Sequence, residues 1–261
     1  MPIKVLLNEG GKFTDASETY GFSENSLGWW WSMESGDFDG DGDMDLILGN
    51  NGLNYKYKAS EEETFDIYVK DFDKNAKEDI VLSYYNGGKQ FPVRGRECSS
   101  QQIPTIKQKF QNYESFSNAT LVDVYTEEEL DKALHYQIKS FASVYAENRN
   151  GKFVFHSLPQ EAQISNINQI LVDDFDKDGH LDAVIAGNLY QSEVETPRND
   201  AGIGLFLKGN GSGEFEPIPA RESGLYIPGD VKEMIELDFQ GNPLIIVGKN
   251  QDYIQYIKTA I

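Results

Sequence analysis

Asp37-Phe-Asp-Gly-Asp-Gly-Asp-Met-Asp45, Asp71-Phe-Asp-Lys-Asn-Ala-Lys-Glu-Asp79 and Asp174-Phe-Asp-Lys-Asp-Gly-His-Leu-Asp182 are three copies of one short acidic pattern. Each sets an oxygen-bearing side chain at loop positions 1, 3, 5 and 9: Asp37, Asp39, Asp41 and Asp45; Asp71, Asp73, Asn75 and Asp79; Asp174, Asp176, Asp178 and Asp182. That alternation lets a tightly curled loop surround one hard cation. Calcium suits such a set best, because it accepts six to eight oxygens at about 2.3–2.6 Å, whereas magnesium demands stricter octahedral geometry and sheds its waters reluctantly. At position 7 stand Asp43, Lys77 and His180. The last two have no suitable side-chain oxygen, so position 7 is expected to give its backbone carbonyl. The loops together predict two or three bound calcium ions.

The residues immediately after each loop separate this pattern from a helix–loop–helix calcium site, which needs a bidentate Glu at position 12. Here position 12 is Leu48, Leu82 and Ile185. Short apolar runs stand there instead, Leu46-Ile47-Leu48, Ile80-Val81-Leu82 and Ala183-Val184-Ile185-Ala186, each leading to Gly49-Asn50, Asn86-Gly87 or Gly187-Asn188. They read as buried strands ending in turns. The metal loop therefore joins two strands, and calcium takes a structural role as an ion-tied turn; a regulatory or substrate-bridging ion is the alternative.

A second signal recurs upstream. Val5-Leu6-Leu7-Asn8 precedes Gly10-Gly11-Lys12-Phe13, Val144–Asn148 precedes Asn150-Gly151-Lys152-Phe153, and Leu205-Phe206-Leu207 precedes Gly211-Ser212-Gly213-Glu214-Phe215, all strand–glycine turn–strand hairpins. Their phenylalanines stand 24, 21 and 23 residues before Asp37, Asp174 and Asp238. Such a period marks self-similar units of four short strands, as in a β-propeller or related array. A fourth copy, Leu237–Gly248, keeps only Asp238 of the ligands and is expected to hold no ion. Tyr253–Ile257 alternates as a final strand. Either the N-terminal hairpin around residues 3–15 completes this last unit, or the chain is cut from a larger ring. Residues 97–142 break the pattern and read as a helical insertion, with a Thr126-x-x-Glu129 capping box and Leu130 and Leu134 on one face. Glu193–Asp200 is a polar loop longer than a hairpin needs. The fold class is thus all-β with a helical insertion, β-propeller-like with about four to five blades or part of a larger propeller, and residues 1–261 form one domain.

The formal net charge of −20 argues against nucleic acid or an anionic membrane as partner. No apolar run is long enough to span a bilayer, and Met1–Leu7 lacks the features of a signal peptide. Cys98 stands alone, so there is no intrachain disulfide and a buried, inert thiol is expected. Extracellular calcium modules bind in the 10⁻⁴–10⁻³ M range, which places the protein outside the cytosol: secreted, periplasmic or at the cell surface. Export then predicts that residues 1–261 are a mature or excised piece.

With Phe at position 2 and a β run behind it, the acidic loop resembles the FG-GAP or VCBS repeats of integrin α-chain-like propellers. The likeness covers about residues 3–96 and 143–258. It is weakest at the second loop, where Ala76 replaces the position-6 glycine and Lys77-Glu78 comes next. The chain is also similar to the C-terminal part of long secreted bacterial repeat proteins. The resemblance implies an extracellular calcium-bearing propeller for adhesion or ligand binding, its partner a glycan or an extracellular protein, with no catalytic machinery in the repeats.

No nucleophile–base motif, phosphate loop or metal-spaced histidine pair stands in the sequence; His135, His156 and His180 are scattered. The alternative, a polysaccharide lyase or hydrolase, would place its site on the insertion and the 190–200 loop. For recognition the candidates are Trp29, Trp31, Tyr55, Tyr85, Arg94 and Arg198. Aromatic faces stack on sugars, but alternation along a strand favours Trp29 and Trp31 packing between sheets. Arg94 and Arg96 can clamp a carboxylate or tie the insertion to the acidic scaffold.

Overall fold

The computed structural model describes residues 1–192, 196–240 and 242–258. Glu193, Val194 and Glu195 of the polar loop, and Gly241 of the fourth copy, lie outside the described residues. The chain divides into two compact units, Tyr57–Ser140 with Met1, and Pro2–Lys56 with Phe141–Ile261.

In the larger unit β1 (Leu6–Glu9) and β2 (Lys12–Asp15) form a separate two-stranded hairpin. β3 (Ser32–Gly36) and β4 (Asp45–Gly49) flank the first acidic loop. They share a four-stranded antiparallel sheet with β9 (Val144–Asn148) and β10 (Phe153–Ser157), in the order β10-β9-β4-β3. The chain thus leaves this sheet after β4, builds the smaller unit, and returns as β9 beside β4. The next sheet is β11 (Ile167–Asp173), β12 (Asp182–Gly187), β13 (Leu205–Gly209) and β14 (Phe215–Ile218) in sequential order. The last is three-stranded: β15 (Val231–Phe239), β16 (Asn242–Lys249) and β17 (Gln255–Lys258). The N-terminal hairpin pairs with none of these strands among the described residues.

The smaller unit holds the second loop, between β5 (Phe65–Lys70) and β6 (Asp79–Asn86), in a sheet ordered β7-β6-β5-β8, with β7 at Lys89–Pro92 and β8 at Leu134–Ile138. Five short helices separate β7 from β8: α1 (Arg96–Gln102), α2 (Thr105–Lys109), α3 (Tyr113–Ser117), α4 (Leu121–Tyr125) and α5 (Glu127–Asp131). Helix therefore fills the first part of residues 97–142, and Leu134 opens a strand rather than extending a helical face. The capping box lies upstream of the expected one. Thr120 Oγ1 accepts from Asp123 N at 3.3 Å, and Asp123 Oδ2 accepts from Thr120 N at 2.8 Å. Thr126 both ends α4 and begins α5, with φ +63, and its side chain makes no cap bond. Cys98, on α1, is half-buried rather than buried.

Sheet faces pair through apolar layers. Ile47, Tyr145, Ile170, Ile185 and Leu207 pack between the first two large sheets, and Val184, Met234, Ile245 and Val247 between the second and third. In the smaller unit Tyr68 and Val81 carry the helices through Ile106, Phe116, Leu121 and Leu130.

The Gly-Asn pairs explain how the strands end. A Cβ on Gly49 would lie 2.4 Å from Ile167 O, and one on Gly187 only 1.6 Å from Asn166 O, so both strands pass against the 166–167 backbone where no side chain fits. The next Asn is buried and used as a bracket. Asn50 accepts from the N–H of Trp29 and Asn51 and donates to Ala142 O at 3.2 Å, while Asn188 donates to Gly202 O at 2.8 Å and Gly229 O at 2.9 Å. Asn86-Gly87 differs: it belongs to the tight turn joining β6 to β7, with Gly87 and Gly88 at φ +60 and +72.

Gly187→Ala is expected to destabilise the protein by at least about 2 kcal/mol in denaturant unfolding, because backbone must move. Gly248→Ala, whose Cβ meets nothing nearer than 3.6 Å, should stay within about 0.5 kcal/mol of the parent.

Candidate metal centres

All three loops are closed by the same antiparallel pairing of their flanking strands. The residue before position 1 faces position 9: Gly36 opposite Asp45, Lys70 opposite Asp79, Asp173 opposite Asp182. The position-9 carboxylates are buried, Asp45 and Asp182 at 0 % exposure and Asp79 at 2 %. Each accepts the backbone N–H of the position-2 phenylalanine, at 3.2 Å from Phe38, 2.9 Å from Phe72 and 3.1 Å from Phe175. Those rings insert into the apolar layers; Phe38 meets Tyr145 and Phe215 edge-on at 6.0 and 5.4 Å.

Within the loops the side chains at positions 1, 3 and 5 turn inward and accept backbone N–H groups two to five residues ahead. Position 1 takes the position-6 N–H, at 3.1 Å (Asp37–Gly42), 2.8 Å (Asp71–Ala76) and 2.9 Å (Asp174–Gly179). Position 5 takes the position-7 N–H, at 2.8, 2.8 and 3.0 Å, from Asp43, Lys77 and His180. The curl needs left-handed backbone at positions 4 and 6: Gly40 and Gly42 in the first loop, Lys74 and Ala76 in the second, Lys177 and Gly179 in the third. Ala76 at φ +65 carries a Cβ where glycine is the favoured residue.

Three carboxylates converge in each loop: Asp37, Asp39 and Asp41; Asp71, Asp73 and Asp79; Asp174, Asp176 and Asp182, with one oxygen of each within 4.8 Å of the others. Oxygens on opposite sides of one calcium ion stand about 5 Å apart, twice the metal–oxygen distance, so the spread fits a single ion. The donor set is all oxygen, suiting a hard cation rather than zinc. In the first loop Asp45 is held from other strands, its Oδ2 also accepting from Tyr145 hydroxyl at 2.8 Å and its Oδ1 from Asn148 N at 2.7 Å. The carboxyls of Asp39, Asp79 and Asp182 are pushed up from the ordinary aspartate range, first by burial and then by neighbouring carboxylates, Asp45 and Asp41 on Asp39, Asp73 and Asp71 on Asp79, Asp176 on Asp182. This is crowding of negative charge that a bound dication would relieve.

The six recognition candidates fall on both units. Trp29, Trp31, Tyr55 and Arg198 belong to the larger, Tyr85 and Arg94 to the smaller. The tryptophans precede β3 rather than lying in it, so strand alternation does not apply. Trp30 packs against the apolar layer of Phe22 and Leu48, while Trp31 is 38 % exposed and donates its indole N–H to Asn51 Oδ1 at 2.7 Å. Asn51 also accepts, through its carbonyl, from Asn199 Nδ2 at 3.3 Å, bringing Trp31 near the segment of Arg198, whose guanidinium lies 5.0 Å over Tyr190. Tyr55 meets Phe141 edge-on at 6.2 Å. Tyr85 is half-buried, its hydroxyl pushed up by burial and by Asp66 and Glu63. Arg94 donates to Gln102 Oε1 at 3.1 Å, and Arg96 to Phe110 O at 2.6 Å, so both arginines hold helical segments of the smaller unit. Unforeseen in the sequence is a buried amide network of Asn166, Asn168, Asn188 and Asn199, in which Asn168 Nδ2 reaches Val231 O at 2.7 Å. Its only signal was asparagine in apolar surroundings.

Residues 1–48 match the model of an FG-GAP-like repeat, a span that takes in the N-terminal hairpin, the first acidic loop and most of β4. No curated protein matches the chain. Among the described residues no helix is long and apolar enough to cross a membrane.

Ala76→Gly is expected to stabilise the metal-free protein by about 1 kcal/mol, because it removes the left-handed Cβ penalty. Chemical denaturation in excess chelator measures it, and an unchanged midpoint would mean that the second loop relaxes around Ala76 at no cost.

Proposed function

We propose that the chain is a calcium-binding β-repeat module working outside the cytosol, in which calcium is structural and the folded surface binds an extracellular protein or a glycan. The observation that carries the reading is the threefold recurrence of one geometry: identical strand closure, inward oxygens and a carboxylate triad of single-ion size in three loops whose remaining residues differ. The FG-GAP-like repeat at residues 1–48 supports an adhesion-type role. The excess of negative charge does not suit a polyanionic partner.

In this reading Asp37, Asp39 and Asp41, Asp71, Asp73 and Asp79, and Asp174, Asp176 and Asp182 supply carboxylate ligands. Asn75 and Asp178 add position-5 oxygens, and Asp43, Lys77 and His180 add carbonyls. Each ion neutralises carboxylates that otherwise repel one another and fixes the turn between two strands of one sheet.

Removing calcium with a chelator is expected to lower the melting temperature by about 5–10 °C; the same melt with and without chelator, after verified metal loss, would sink a structural role for the ion. In calorimetric titration Asp39→Ala should weaken calcium binding by more than about tenfold, with Asp43→Ala much milder because only its carbonyl is used. The reverse ranking would reject this ligand register. A screen of glycans and secreted proteins with and without calcium identifies the partner class, and release of shortened glycan products would instead mark an enzyme.

A further inference from the structure

The third loop already holds a cation supplied by the protein. Lys208 Nζ, on β13, pairs with Asp176 and lies 2.8 Å from Asp178 Oδ2, spanning positions 3 and 5 of the loop. The neighbouring residue places it there: Gly209 N donates to the position-9 Asp182 Oδ1 at 2.9 Å, pinning β13 to the mouth of the loop. The first loop has the same arrangement on β9, where Asn148 N donates to Asp45 Oδ1 at 2.7 Å. Asn148 and Gly209 are therefore equivalent, and the residue before each is equivalent too: Glu147 at the first loop, Lys208 at the third. One position in the repeat carries opposite charges in its two copies.

The effects on the loops are opposite as well. The ammonium of Lys208 holds the Asp178 carboxyl below its ordinary range and is itself pushed up by Asp176 and Asp178. Glu147 contributes to raising Asp39, while its own oxygens engage Arg149 at 2.6 Å and His156 at 2.9 Å. Among the described residues no lysine or arginine pairs with the triads of the first and second loops.

We propose that Lys208 is the resident counter-ion of the third loop, and that the charge at this position, Lys208 against Glu147, ranks the loops so that the first binds a divalent cation more tightly than the third. The inference rests on the loops being cation sites. A metal entering the third loop must displace the ammonium from two carboxylates and then remain within its repulsive field, whereas in the first loop the same position adds attraction. Lys208 also offsets part of the third loop's negative charge when calcium is scarce.

The test is calcium titration by calorimetry of the full chain carrying Asp39→Ala and Asp73→Ala, which leaves the third loop as the remaining site, with and without Lys208→Met. Loss of the lysine should tighten binding by about tenfold; equal or weaker binding overturns the inference while leaving the loops as metal sites. If neither protein binds millimolar calcium, the reading of the loops fails and this inference with it. Should the background substitutions prevent folding, melting of Lys208→Met in the otherwise unaltered chain decides. Its melting temperature should fall in chelator and recover in calcium, widening the calcium-dependent gain over the parent, whereas equal losses in both conditions mark a merely structural lysine and overturn the proposal.

Discussion

A buried carboxylate at the head of a strand is the constraint on which each repeat depends. Asp45, Asp79 and Asp182 lie where an unpaired charge is strongly unfavourable, and each is satisfied by the N–H of the phenylalanine seven residues earlier. That one bond closes the loop, sets the register of the two strands, and aims the phenylalanine into the layer between sheets. In the first and third loops a further N–H, from Asn148 or Gly209, arrives from the neighbouring strand and locks the loop to the rest of its sheet. In the second loop Gln102 on α1 stands at the same strand end, donating to Ile80 O at 3.4 Å, so a helix takes the place of that strand contact. Local curl, sheet register and interlayer packing therefore share one anchor, and a cation at the triad would add to an arrangement that hydrogen bonds already shape.

The opposite ends of these strands use a different device. Gly49 and Gly187 remove the side chain where the next segment crosses, and Asn50 and Asn188 convert the crossing into hydrogen bonds. Buried amides at such points must be fully paired to be stable, and the network of Asn166, Asn168, Asn188 and Asn199 meets that demand through the carbonyls of Asn188 and Val231 and through bonds between its own side chains. The sheets of the first and third loops are thus tied at one end by carboxylates and at the other by amides, with aliphatic layers between.

The acidic loops were legible because their interactions are short in range. Position-1, position-3 and position-5 oxygens find N–H groups within five residues, so their spacing in sequence is their spacing in space. The strands and the glycine hairpins were legible for the same reason. The reading failed where a local signal had two physical uses. Asn86-Gly87 matched Gly187-Asn188 in composition, yet one is a tight hairpin turn and the other a close crossing. Thr126 had the capping spacing, but joining two helices imposed a left-handed backbone on it, and Thr120 became the cap. The Trp29–Trp31 run lies just outside β3, and its middle ring packs against the apolar layer.

By itself the sequence determined three curled acidic loops, the strands they join and the hairpins between them, because steric limits on the backbone and hydrogen bonds within nine residues leave little choice. That β4 pairs with a strand nearly a hundred residues later in the chain emerges from the folded arrangement alone, since nothing local marks β9 as its partner. The same arrangement decided which carboxylates converge, that Asp45 turns to Tyr145 and Asn148, and that Lys208 rather than an acid stands over the third loop. These depend on groups brought together from distant strands, where close packing and the need to satisfy every buried charge select one arrangement from many.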